Sequence, residues 1–218
     1  MPSCSHEAHD HDHGGCDGHD HDIPLSAGPT DSLYPVIDTE HVVALNAAGG
    51  GEKGRVVIKE WAEKDDETIW LESELDDSLI LHIPFTASVS LRSITLKAGH
   101  GGFRPSEMRV FVNAAGLDFS DAEAREPTQA FDVIESREAG EYQVKAAKFA
   151  STTSLALFFP NNESEGEDEE TTRIYYVGLR GSWRPLPNKL GEIIYEAAPR
   201  PTDHKVHEGI SNAARQGL

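Results

Sequence analysis

The stretch at residues 76–96, DDSLILHIPFTASVSLRSITL, limits the folds open to this chain more than any other. Leu79, Leu81, Ile83 and Phe85 alternate onto one face of an extended segment, while Ile80 and His82 take the other. Apolar residues on both faces describe a strand inside a sheet or sandwich, not one at its rim. Pro84 has no amide donor, so it is expected to mark a bulge or the end of pairing. Residues 86–88 are read as a turn and residues 89–96 as the returning strand of a hairpin. The apolar phase shifts from Val89 and Leu91 to Ile94 and Leu96, which places a bulge near Arg92.

The remaining elements follow from the same periodicity. Residues 107–112 (EMRVFV) put Met108, Val110 and Val112 on one face and Phe111 on the other. Residues 155–159 (LALFF) and 173–179 (RIYYVGL) are further two-faced strands; residues 55–58, 131–134, 142–144 and 193–197 are shorter candidates. Residues 37–45 suggest a short helix capped by Asp38 or Thr39. Roughly eight or nine short strands with almost no helical period make an all-β chain, a sandwich or a jelly roll. His82, on the central strand, is expected to be a hydrogen-bonded core residue.

The ends of the chain are different in kind. Residues 1–29 are rich in His, Asp and Gly, lack aromatic residues, and are expected to form a disordered tail and linker. Residues 30–200 form the domain and residues 201–218 a polar C-terminal tail. The front tail carries Cys4, His6, His9, His11, His13, Cys16, His19 and His21, eight borderline-to-soft ligands within eighteen residues. Such a set can wrap Zn²⁺, Cu²⁺ or Ni²⁺. It has no fixed spacing, so Zn²⁺ uptake there is adventitious, and the domain itself requires no cofactor.

Charge and motifs exclude several functions. With 19 basic against 38 acidic residues the net charge is −19, which disfavours nucleic acid and anionic membranes, because both are held by Lys and Arg. Such a field suits a basic partner, or simply keeps the chain soluble. There is no G-x-S-x-G, H-E-x-x-H or C-x-x-C, so no enzyme activity is expected. GGGEKGR at residues 49–55 lacks the Gly-Lys-Ser/Thr ending of a phosphate loop and reads as a turn. With no Cys beyond position 16 a disulfide framework is excluded and a reducing compartment follows. No charged-then-apolar leader and no long apolar run appear, so cytoplasm and nucleus are the expected locations.

Five segments together resemble the PITH domain, the proteasome-interacting module. They are LESELDDSLILHIPFTASVSLRSI (71–94), RPSEMRVFVN (104–113), LDFSDAEAREPTQAFDV (117–133), YYVGLRGSW (175–183) and YEAAPRPTDHKVH (195–207). The resemblance implies a galactose-binding-like jelly roll and association with the regulatory particle of the 26S proteasome. The thioredoxin domain of some relatives, with its C-x-x-C pair, has no counterpart here, so disulfide reductase activity does not carry over. The chain is therefore read as a monomeric, non-catalytic adaptor. Its candidate contacts are loops at residues 99–106 and 181–187 and the C-terminal segment, with Arg180, Trp183, Arg184, His204 and His207 as binding residues. Trp183 is also expected to cap the core. The alternatives are a carbohydrate-like small-ligand site on Trp61, Trp70 or Trp183, or metal binding by the front tail.

Overall fold

The computed structural model describes residues 28–164 and 171–186. Among these, eight antiparallel strands form one continuous hydrogen-bonded system: β1 (Val43–Leu45), β2 (Leu71–Glu72), β3 (Leu79–Ala98), β4 (Glu107–Val112), β5 (Gln129–Asp132), β6 (Gly140–Gln143), β7 (Thr152–Phe159) and β8 (Arg173–Pro185). The single α-helix among the described residues, α1 (Phe119–Ala124), has six residues. The all-β expectation holds.

The hairpin does not. β3 is one strand of 20 residues. Its first part pairs with β7 as far as Pro84 and with β1; from Ala87 onward it pairs with β8, and Ser93–Leu96 pair with β6. β3 thus belongs to two layers, β1–β3–β7–β4–β5 and β6–β3–β8–β2. Residues 86–88 are Thr-Ala-Ser, with no Gly, Asn or Asp to supply the positive φ that a tight hairpin turn needs. The chain therefore goes straight on, and the ladder with β7 slips between Pro84 and Val89. The expected bulge at Arg92 is present as a register shift between Leu91 and Ser93.

Because of that bulge the inward set of β3 changes parity. Leu79, Leu81, Ile83, Phe85, Val89 and Leu91 precede it and Ile94 and Leu96 follow, all in one buried cluster with Met108, Val110, Leu155, Leu157, Phe159, Ile174 and Leu179. Each such side chain contributes about 1.5–3 kcal/mol by leaving water. This is the main core, between the two layers.

Two other local expectations are corrected. Residues 37–45 form a 3₁₀ turn, Thr39–His41, followed by β1, because consecutive β-branched residues disfavour continuing a helix and Val43 pairs with β3. Residues 55–57 belong to a 3₁₀ helix, Gly51–Val57, with Ile58 as its C-cap, and not to a strand. A Cβ on Gly54 would lie 2.8 Å from the Ala44 amide nitrogen. Glycine at this position lets the segment lie against the backbone of β1, so GGGEKGR is a covering turn over a sheet edge, one means of protecting an edge strand. The candidate strand at 193–197 lies outside the described residues.

Candidate functional site

The outer face of the first layer carries a second, smaller core. Strand register sets Leu45 beside Ile80, Phe158 and Arg109, and Val43 beside His82, Ala156 and Phe111. Ile80, Phe111, Ala156 and Phe158 are buried there under Ala114, Leu117 and Ala122, with Phe119 packed against them. The covering segment is pinned at several points. Asn113 adopts a left-handed conformation (φ 54°). Its side-chain oxygen accepts from the Thr153 amide at 2.8 Å, and its amide donates to the Ser151 carbonyl at 3.0 Å. Asp118 caps α1, accepting from the Asp121 amide at 2.8 Å.

The cover stops short of β1. Between Ala114–Asp118 and Val43–Leu45 an open apolar groove remains, floored by His82 and Pro84 and closed off by Ser154 and Leu155, with a volume of about 420 Å³. The floor histidine holds the wall in place: Nε2–H of His82 donates to the Leu117 carbonyl at 3.0 Å. Burial keeps the imidazole pKa below its ordinary value, partly offset by that carbonyl, so the ring is neutral at pH 7. His41, at the rim, is raised instead by its hydrogen bond to the Asp38 carboxylate at 2.9 Å. Sequence reasoning read His82 as a core residue and did not see that it borders an opening.

The residues singled out from the sequence lie elsewhere. Arg180 is held by Asp31 at 2.9 Å and Glu141 at 3.0 Å, so its guanidinium is engaged within the domain. Arg184 is exposed and donates to the Ser151 hydroxyl at 3.3 Å. Trp183 does not cap the core. It pairs with buried Val89 but is 51% exposed, because β8 runs past the end of the core there. Residues 181–185 are strand and not loop. His204, His207 and the whole set Cys4, His6, His9, His11, His13, Cys16, His19 and His21 lie outside the described residues. Among the described residues no cluster of His, Cys, Asp or Glu could hold a metal, and no helix is long and apolar enough to cross a membrane.

Two of the three tryptophans expected as sugar platforms, Trp70 and Trp61, are engaged as well. Arg173 lies 5.5 Å from the centre of the Trp70 ring, Tyr175 meets its edge, and its indole donates to Glu72 at 2.9 Å. Trp61 carries the Lys64 ammonium 5.6 Å from its ring centre. Glu72 gathers this cluster. Its burial would raise the carboxyl, but hydrogen bonds from Thr171, Trp70 and Arg173 outweigh that and hold the pKa below its ordinary value. A depressed pKa gives stability that is present above the unfolded value and lost as pH falls through the folded one. Glu72→Gln is therefore expected to destabilise the protein at neutral pH. The gap from wild type should narrow as pH falls below the ordinary glutamate value and close once the folded-state carboxyl is protonated, measured by urea unfolding at several pH values. A gap that stays constant with pH would show that the carboxylate charge is not what holds the cluster.

A PITH-domain model matches residues 24–199. The chain belongs to the PITH-domain family. It is 35% identical over 207 residues to PITH domain-containing protein 1 of Homo sapiens, covering 92% of this chain and 95% of that one. The Danio rerio protein of the same name is 37% identical over 185 residues, covering 84% and 85%. Among solved structures the chain is similar to the family 32 carbohydrate-binding module of C. perfringens NanJ in complex with galactose. That likeness has a TM-score of 0.47 and 8% identity, over 68% of this chain and 97% of the other. It is also similar to a fucolectin from Morone saxatilis, with a TM-score of 0.44 and 10% identity, over 66% and 46%.

Proposed function

We propose that this PITH-family chain is a non-catalytic protein-interaction module that associates with the regulatory particle of the 26S proteasome in cytoplasm and nucleus. The observation that carries the interaction reading is the groove: apolar surface kept open on the outer face of a rigid sheet, without a constellation of groups suited to chemistry. The partner comes from the chain's resemblance to the PITH domain, the proteasome-interacting module. The acidic surface keeps such an adaptor soluble and favours encounter with basic surfaces.

The test is co-sedimentation of the full chain with purified 26S proteasome, with regulatory particle alone and with core particle alone. The chain is expected to travel with the first two and not with the third. Failure to travel with any of them would remove the proteasome as partner.

A further inference from the structure

We propose that the groove beside β1 receives an amphipathic helical segment of a partner protein, with apolar side chains facing inward and Lys or Arg along the rims. This rests on the reading of the chain as an interaction module and names what its groove would hold. Pro84 lies on the floor, and Val43 and Leu45 form an apolar wall facing Ala114–Leu117. At about 420 Å³ the groove falls within the ordinary size of a specific pocket, about 300–1,000 Å³.

The manner of binding follows from the edge of β1. A Cβ on Gly54 would lie 2.8 Å from the Ala44 nitrogen, and one on Gly51 3.0 Å from the Ala44 oxygen. The backbone edge of β1 is thus already covered, and a partner cannot add a strand there. It must engage through side chains, as a helix laid in a groove does.

The sign of the rims follows from charge. No Lys or Arg lines the groove, and Asp118 stands on one wall. Opposite, His41 is neutralised by Asp38 at 2.9 Å, and Glu40 adjoins it. The net charge of −19 reinforces the local field. Basic flanks complement all of this.

The experiment is fluorescence anisotropy with the full chain and a labelled helical peptide carrying Leu at i, i+3, i+4 and i+7 and Lys elsewhere. Two counterparts carry Glu for Lys and Ala for Leu. The Lys/Leu peptide is expected to bind saturably, and both counterparts at least ~10-fold more weakly. Val43→Lys should weaken binding ~10-fold or more at an unchanged melting temperature, since this side chain is already partly exposed. Asp118→Asn keeps the helix cap and should weaken binding a few-fold, losing charge alone. Equal binding of the Lys and Glu peptides, or Val43→Lys binding like wild type, would overturn the proposal. So would self-association of the free chain that Val43→Lys abolishes, since a second copy would then be the occupant. Proteasome co-sedimentation is read separately. Its absence alongside specific peptide binding removes the proteasome and leaves the groove; its presence without peptide binding does the reverse.

Discussion

Gly181→Ala is expected to cost about 3 kcal/mol or more, as overpacking against an immovable neighbour does. A Cβ at this position would lie 2.2 Å from the Ser90 carbonyl oxygen and 3.1 Å from the Leu91 Cα. Both are backbone atoms of β3, so no rotamer change relieves the clash. The cause is the adjacent bulge: Gly181 pairs with Leu91, and the register shifts between Leu91 and Ser93. A bulge bends and twists its strand, and glycine marks where another backbone approaches closely. β3 cannot retreat, because in this region it is also paired with β6 and, at Val89, with β7. For a chain of this size the loss should lower the melting temperature by roughly 10 °C. Gly101→Ala is the comparison. There φ is +59° and nothing lies within 4 Å of the new Cβ, so the cost is backbone strain alone, about 1 kcal/mol. Thermal unfolding of both variants decides the matter. If Gly181→Ala melts with Gly101→Ala, the two backbones are not as close as described.

Legibility in the sequence tracked how local the cause was. β4 was readable to the residue, since the alternation of Met108, Val110 and Phe111 is itself the reason the strand has two buried faces. The bulge at Arg92 was readable because a phase change is its direct imprint. The supposed hairpin misled because Thr-Ala-Ser soon after Pro84 looks like a turn, whereas β3 is held straight by partners distant in sequence, β7 up to Pro84 and β8 from Ala87 onward. Val43 was misplaced on a helix for the same reason: its strand exists only through pairing with His82 and its neighbours. The groove was not legible at all. It is assembled from positions 41–45, 82–84, 114–118 and 154–155, and each taken singly looks like ordinary packing. The nearest signal was Asn113 ahead of Ala-Ala-Gly, a left-handed residue starting a segment with little bulk to fill the face below it.

Phe158→Ala is expected to separate the two cores. Phe158 and Phe159 are neighbours on β7, both fully buried, yet they face opposite sides of the layer. Phe159 belongs to the main core between the layers, and Phe158 to the small core beneath the covering segment. Removing either ring loses transfer free energy plus a term for the cavity left behind, in total about 3–5 kcal/mol. The cavity term depends on whether the surroundings can collapse. Around Phe159 both layers are fixed by their ladders, so the cost should lie at the upper end and fall on the whole sandwich. Over Phe158 lie the edge of the Phe119 ring, 6.1 Å between centres, and the Arg109 guanidinium at 5.8 Å. Both can shift, which puts the cost near about 3 kcal/mol. What suffers is the anchorage of α1 and, through Leu117, the groove wall. Hydrogen exchange should therefore show protection lost over residues 114–124 in Phe158→Ala while β3 and β8 stay protected, and peptide binding in the groove should fall with it. Phe159→Ala should lower protection everywhere at once. If the two variants lose protection in the same pattern, the small core is not a separable unit, and the wall of the groove moves only when the entire domain unfolds.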